Sequence, residues 1–187
     1  MSIYLIRHGA TPWTDSHRHT GATDVDLTAE GERQALSLAS RLAGVEFRRV
    51  VASPLRRARH TAELAGFGDR LEIAPLLREF DYGEYEGLTT AQIEAIDPGW
   101  DLWRDGCPGG ETPRQARDRA EALLAELALP AEDDSALFGH GHILRAVTCA
   151  YLGVPIGFCR HLVLTVASVS VLGKEHGVPA IASWDLT

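Results

Sequence analysis

Two short apolar runs in this chain end in the same pair of residues. Ile3-Tyr4-Leu5-Ile6 leads into Arg7-His8-Gly9, and Ala136-Leu137-Phe138 leads into Gly139-His140-Gly141. Uninterrupted runs of this length read as strands covered on both faces, as in a parallel sheet. A strand that stops at an imidazole and a glycine delivers a titratable ring to the carboxyl edge of the sheet, where open α/β sheets bind ligands. Two such strands bring two imidazoles to one site.

The remaining sequence alternates in the same manner. Val50-Val51-Ala52 reads as another buried strand, with Ser53 and Pro54 as N-cap and first helical position. Helical spacing joins Ala35, Leu38, Ala39 and Leu42 behind the cap candidate Thr28. It also joins Leu55, Ala58, Ala62 and Ala65, and then Ala116, Ala120, Leu123 and Leu127 behind Pro113. A further helix follows Gly141 to about Leu152. Residues 71–77 read as a weak extended segment, and the stretch after Glu79 reads as a loop. The polar segment from Ala10 to Asp26 reads as a long loop of the kind that carries function. Leu162 to Leu172 and Ala180 to Trp184 read as the last strands. Strands alternating with helices predict an α/β fold, a three-layer α/β/α sandwich with a mostly parallel central sheet. The 187 residues suit one domain spanning 1–187, with a small cap at about 80–112.

A net charge of −8 argues against a nucleic-acid or anionic-membrane partner, which calls for a basic face. A site for an anion must then be a local cationic cluster. Cys107, Cys149 and Cys159 lack C-x-x-C spacing and fit neither a disulfide framework nor a zinc knuckle. Free thiols suit a reducing cytosol. The first apolar run is too short for a signal peptide and has no basic leader. No stretch approaches the roughly 20 apolar residues of a membrane span. The expectation is a cytoplasmic protein.

The residues at the strand ends point to phosphoryl transfer. A guanidinium grips phosphate through a planar fork, an imidazole can act as nucleophile, and the glycine admits close approach. Behind Ser53-Pro54, a helix N-terminus offers free N–H groups to an anion. Of Arg56, Arg57, Arg59 and His60, one faces the anion on this reading and three are solvated. The segment after Leu77 offers four carboxylates for proton transfer, Glu79, Asp81, Glu84 and Glu86, and spacing leaves all four open.

Taken in order, these residues resemble the histidine phosphatase superfamily, the group that includes cofactor-dependent phosphoglycerate mutase. Arg7-His8-Gly9 matches the family's opening motif. Trp13, Arg18, Gly21 and Asp24 through Leu27 match the loop that follows. Ser53-Pro54-Leu55, Arg57-Ala58 and Thr61-Ala62 match the second motif. Glu79, Gly83 and Tyr85-Glu86-Gly87 match the third, and His140-Gly141 with Arg145 matches the fourth. The resemblance covers almost the whole chain and implies the phosphoglycerate mutase-like form of the sandwich. It implies that His8 is the nucleophile that becomes phosphorylated. It further implies that Arg7, Arg57 and His140 clamp the phosphoryl oxygens, with the Gly141 N–H as one more donor. Glu79 is implied as proton donor to the leaving oxygen and then as base for water. No cofactor and no metal are implied. Physical chemistry fits these roles: nearby cations disfavour the imidazolium form of His8, and an acceptor such as a main-chain carbonyl must hold its other ring nitrogen. For Glu79, burial raises the pKa and arginine neighbours lower it.

Departures from the pattern narrow the activity. Thr14 stands where many members carry Asn, with a shorter reach; Thr20 is the better contact, beside Gly21 and Tyr82. Phe80-Asp81-Tyr82 replaces the Arg-His-Tyr run with which the mutases hold phosphoglycerate. The helical insertions that enclose a substrate for retransfer are missing, so water takes the phosphoryl group, which favours a phosphatase over a mutase. The stretch from Trp100 to Thr112, with Gly83 to Gly87, is similar to the sedoheptulose bisphosphatase branch. It implies a sugar bisphosphate, with Arg104 as the second cation. Trp100 and Trp103 read as packing of the cap, and Cys107 as an inert loop residue.

Alternatives within the family are a phosphoglycerate mutase and a nucleotide-loop (ribazole-type) phosphatase. A metal-dependent hydrolase built on His140-Gly141-His142 lacks a second cluster with ligand spacing. A non-catalytic phospholigand-binding module would have lost one of the five principal site residues, and all five are present. The partner expected is a small phosphorylated metabolite. The apolar Val163–Val171 stretch suits a central strand or an interface edge, which leaves a homodimer open.

Overall fold

The computed structural model describes residues 2–127 and 133–187. In chain order the elements are β1 (Ile3–Arg7), α1 (Pro12–Asp15), α2 (Ala29–Arg41), β2 (Phe47–Ala52), α3 (Arg56–Ala62) and β3 (Leu71–Ile73). Then follow α4 (Thr90–Ile96), α5 (Leu102–Asp105), α6 (Pro113–Glu126), β4 (Asp134–Gly139), α7 (Gly141–Leu152), β5 (Val169–Glu175) and β6 (Val178–Leu186). The strands form one sheet in the order β3-β2-β4-β1-β5-β6. Its first four strands are parallel, while β5 and β6 add an antiparallel edge.

Strand periodicity divides the core into two layers. Ile3 and Leu5 of β1, Val51 of β2 and Leu137 of β4 pack with Ala116, Ala120 and Leu123 of α6 and with Ile143 and Val147 of α7. Their neighbours Ile6, Val50, Ala52, Ala136 and Phe138 pack on the opposite face with Leu38 of α2, Leu42 at its C-cap and Ala62 of α3. The inner strands are therefore apolar at successive positions because both faces are covered. Burying each large apolar side chain contributes about 1.5–3 kcal/mol.

The helix starts follow from caps. Thr28 Oγ1 accepts the Gly31 N–H at 3.1 Å ahead of α2. Thr112 and Gln115 form a reciprocal capping box before Pro113 opens α6. The start of α3 differs from expectation, because its N-cap is Leu55 rather than Ser53. Ser53 Oγ instead meets the Leu55 N–H and the His140 ring. The loop from Ala10 to Asp26 carries the short helix α1, capped by Thr11 and Thr14. Of residues 71–77 only Leu71–Ile73 is a strand, and Pro75–Leu77 is a 3-10 turn. The stretch after Glu79 contains α4 and α5. Leu162 to Ser168 is not a strand: carbonyls at Leu162 and Leu164 accept from Arg145 and Arg7 instead of from a sheet neighbour.

One glycine pair sets how close α2 comes to the end of β1. A Cβ on Gly9 would stand 2.3 Å from the Gly31 carbonyl oxygen, and a Cβ on Gly31 would stand 2.1 Å from that of Ala10. Both contacts are to backbone, so neither side can give way easily. The crossing fixes the chain immediately behind His8.

Candidate active site

The site is assembled at the carboxyl ends of three neighbouring strands. β1 and β4 run parallel with Arg7 opposite Gly139, so the residues after them, His8 and His140, emerge side by side. Their rings lie 5.1 Å apart at 61°. β2, on the other side of β4, delivers Ser53 and then Arg57 in α3.

His8 is buried and held along its backbone, donating to the Gly139 carbonyl at 3.1 Å and accepting from the Ala167 N–H at 3.0 Å. Its Nδ1 is 2.8 Å from its neighbour's carbonyl, Gly9 O. A carbonyl only accepts, so the ring proton sits on Nδ1 and Nε2 keeps its lone pair. Burial, then Arg57 and Arg7, pushes the pKa of His8 well below the ordinary imidazole range. The ring is therefore a neutral base at physiological pH.

Arg7 hydrogen-bonds the Leu164 carbonyl through Nη1, while its buried Nε has no hydrogen-bond partner among the described residues. An unpaired buried guanidinium N–H is costly unless a ligand satisfies it. Arg57 is completely buried. It donates to Thr23 O at 2.9 Å, Thr20 O at 2.9 Å, Gly21 O at 3.0 Å and His140 Nδ1 at 3.2 Å. These contacts account for at most four of its five N–H groups. Because Arg57 can only donate, His140 Nδ1 is an acceptor, and the ring proton on Nε2 goes to Ser53 Oγ at 2.7 Å. Both nitrogens of His140 are thus engaged with protein groups. Arg57 and His140 stand behind His8 and do not line the cleft in front of it.

That cleft has a volume of about 320 Å³ and is lined by Arg7, His8, Glu79 and Gly141. The Gly141 N–H is the first of α7 and has no intrahelical partner. Thr14, Thr20 and Tyr82 also line it. The Thr14 hydroxyl is engaged within its own capping box, donating to Thr11 O at 2.9 Å, and that of Thr20 donates to Arg18 O at 3.1 Å. Gly21 does not line the cleft; its N–H goes to the Glu86 carboxylate and its carbonyl to Arg57.

Arg104 was expected at the substrate, and the structure places it elsewhere. Its guanidinium is exposed, pairs with Asp105 at 2.7 Å and donates to Gly99 O at 2.6 Å. α5 turns this side chain outward while it turns Trp103 inward against Phe80. Trp100 and Trp103 are packing residues as expected, with the Trp100 indole N–H on Gly106 O at 2.8 Å. Burial pushes the Cys107 thiol up to about 12, which leaves it inert.

Glu79 is buried, and its carboxylate accepts from the N–H groups of Phe80 (2.9 Å), His142 (3.0 Å) and Ile143 (2.9 Å). Burial works to raise this carboxyl. The His142 ring 3.6 Å away and the amides at the start of α7 outweigh it and hold the group well below the usual carboxylate range. Tyr82 Oη meets the same ring at Nδ1, 2.5 Å away. Asp81, Glu84 and Glu86 are absent from the cleft lining. A second cleft of about 310 Å³, lined by Arg78, Asp81, Glu111 and Arg119, shares only Glu79 with the first and contains neither histidine.

Sequence reasoning did not assign His17, Arg18, His19, Thr90, His142 or Arg145 to substrate, yet all line the cleft. Arg18 and Arg145 lay within matched motifs, which was a usable signal. Thr90 carried none, because only the fold brings α4 to this rim. Among the described residues no group of three or more His, Cys, Asp or Glu side chains is arranged to hold a metal ion. No helix of the described residues is long and apolar enough to cross a membrane.

Known proteins resemble this chain along nearly its whole length. The family model described as histidine phosphatase superfamily (branch 1) matches residues 3–187. The chain is 42% identical to an acid phosphatase of Mycobacterium tuberculosis, over 99% of this chain and 92% of that protein. It is 31% identical to the probable phosphoglycerate mutase GpmB of Salmonella choleraesuis, over 98% of this chain and 90% of the relative. The solved structure of the open reading frame Rv3214 of M. tuberculosis superposes with a TM-score of 0.93 at 40% identity, covering 100% of this chain and 97% of the other.

Proposed function

Since the chain belongs to the histidine phosphatase superfamily, we propose that it is a metal-independent phosphomonoesterase that works through a phosphohistidine at His8. The observation that carries this reading is the His8 ring. Its Nδ1–H is tied to Gly9 O, which leaves Nε2 for chemistry in a cleft that Arg7 also lines, and the Arg7 Nε has no partner among the described residues.

In this reading the substrate phosphoryl group sits on Arg7 Nε and the Gly141 N–H. His8 Nε2 attacks phosphorus as the ester P–O bond breaks, and Glu79 gives its proton to the departing alkoxide. Water then attacks the phosphohistidine, Glu79 takes the proton of that water, and the P–N bond breaks to release inorganic phosphate. Arg57 supplies positive charge from behind, since a guanidinium stays protonated even when buried. His140 positions that charge against His8 and the Thr20–Thr23 loop. Catalysis of this kind is largely positioning and electrostatic stabilisation.

Glu79 must be protonated to act as acid, yet in the free site it is held ionised. The arriving phosphate dianion supplies like charge beside it and lifts its pKa. The proton thus loads with the substrate and is recycled in the hydrolytic half-reaction.

Residues 1–187 act as one catalytic unit in this proposal, with about 80–112 as its cap. The substrate is a small phosphorylated metabolite, sugar bisphosphates included, although Arg104 is not its second cation. Free Cys107, Cys149 and Cys159 accord with a cytoplasmic location. A mutase reading is less well supported, because Phe80-Asp81-Tyr82 stands where the mutases carry the Arg-His-Tyr run that holds phosphoglycerate. The test is phosphate release from sugar mono- and bisphosphates and an aryl phosphate with chelator present. Turnover that survives chelation supports the proposal, and a strict metal requirement overturns it.

A further inference from the structure

Glu79 stands on a stretch of chain that belongs to no strand or helix. The 3-10 turn Pro75–Leu77 ends two residues before it, and the next turn begins at Gly83. Carbonyls in such a segment have no ladder partners and need donors from elsewhere. One side chain supplies them. Arg119, on α6, donates through Nη1 to Leu76 O at 2.7 Å and to Arg78 O at 2.6 Å, and through Nη2 to Glu79 O at 3.4 Å.

Glu111 completes this clamp. Its carboxylate accepts from Arg119 Nε at 2.9 Å and from Nη2 at 2.7 Å, a two-point fork. Its Oε2 also accepts from the Asp81 N–H at 3.4 Å, and its own N–H donates to Asp81 O at 2.8 Å. Five acceptor contacts thus match the five N–H groups of the guanidinium. Among the described residues this is the least exposed arginine–carboxylate pair, with side chains 17% and 11% exposed. Exposed pairs contribute little, whereas a buried one must recover its desolvation cost through further hydrogen bonds. Here those bonds go to the main chain on both sides of Glu79. Neither Arg119 nor Glu111 lines the cleft in front of His8; both line the second cleft.

The two ends of Glu79 are therefore held by different means. Its carboxylate is held by the amides of Phe80, His142 and Ile143. Hydrogen bonds of that kind favour the ionised form, so their grip weakens when Glu79 takes up a proton. The clamp acts on the main chain and is indifferent to that proton.

We propose that Arg119 and Glu111 are positioning residues for acid catalysis: they fix the backbone that carries Glu79, so that its protonated carboxyl faces the departing oxygen. This rests on the hydrolase reading above and extends its machinery to a pair outside the catalytic cleft.

The test reads the ratio of kcat on p-nitrophenyl phosphate to kcat on glycerol 3-phosphate, because only the alkyl ester needs a proton on its leaving group. Arg119→Ala should raise this ratio about tenfold, by slowing the alkyl ester, since a 1 Å misplacement can cost about a hundredfold. KM for either ester should change little. Arg119→Lys keeps the charge but not the fork, and both it and Glu111→Gln should raise the ratio less. With Glu79 already replaced by glutamine, adding Arg119→Ala should leave the ratio where Glu79→Gln put it. Equal slowing of both esters by Arg119→Ala, or an unchanged ratio, overturns the proposal, because the pair would then serve stability alone. A further rise of the ratio in the Glu79→Gln background also overturns it. If Arg119→Ala fails to fold, the two milder variants decide: a raised ratio in either supports the proposal, and an unchanged ratio in both overturns it. A wild-type ratio in Glu79→Gln itself removes the acid role of Glu79 and this proposal with it, while His8 stands as nucleophile. Inactivity of wild type on both esters overturns the hydrolase reading as well.

Discussion

His8 and Glu79 are held in opposite electrical states by the same kind of device, a backbone contact one residue away. Gly9 O takes the Nδ1 proton of His8, and the Phe80 N–H is one of three donors on the Glu79 carboxylate. The pair is therefore a neutral imidazole and an ionised carboxylate in the free site. Glu79→Gln keeps the shape but cannot carry the proton. It should slow alkyl phosphates about a hundredfold or more, while p-nitrophenyl phosphate, whose leaving group needs no proton, slows far less. Equal losses on both, measured as kcat, would remove Glu79 from the acid role. The sequence offered four carboxylates here. Only the family resemblance selected Glu79, because the selection depends on the α7 amides, which are 63 and 64 residues away in sequence. Arg104 was misassigned for the complementary reason. In a one-turn helix the side chain facing the site is set by neighbouring packing, and Trp103 took the inward position.

Among the elements, β1, β4, α2 and α6 were legible because an uninterrupted apolar run and a helical stripe each have a distinct period, whereas α1 lay in a segment that read as loop. The start of α3 was not, since Ser53 had a better partner than its own helix in His140. Leu162 to Ser168 misled because apolar content alone does not say whether carbonyls will face a strand or an arginine. The crossing of α2 over the end of β1 yields the prediction at this scale. Alanine in a helix interior usually stabilises relative to glycine, by up to about 1 kcal/mol. At Gly31 the new Cβ would meet the Ala10 carbonyl oxygen 2.1 Å away, and overpacking against backbone costs about 1–3 kcal/mol. Gly31→Ala should therefore lower the urea midpoint and also reduce kcat, because the displaced segment adjoins His8. An unchanged or raised midpoint would show that the crossing relaxes freely.

On the scale of the whole molecule, an acidic chain concentrates cations and neutral imidazoles at one sheet edge. Composition gave the net charge, and alternating strands and helices gave the class of fold, but neither gave this concentration, which arises only when distant parts of the chain converge. Burial first, and then neighbouring arginines, holds His8 and His140 well below the ordinary imidazole value of 6.5. His19 is lowered as well, and His142 is pushed down to about 3, in each case chiefly by burial. Below about pH 6.5 the unfolded chain binds protons at these rings that the folded chain refuses. The unfolded state then holds more protons, so stability rises with pH through that window and falls as the pH drops. Glu79 acts in the same direction lower down, its stabilisation present above the ordinary carboxylate value and lost as pH falls through its depressed one. The urea midpoint should drop between about pH 7.5 and pH 5.5; a midpoint that stays level would mean that these rings protonate freely in the folded protein. The most direct measurement of the mechanism is phosphoryl capture: wild-type protein and His8→Ala are mixed with labelled phosphomonoester in the presence of chelator and quenched in alkali. One acid-labile, alkali-stable phosphoryl group per chain, mapped to His8 and absent from the variant, is the predicted result. Turnover without such a group, or a group carried by another residue, would contradict it.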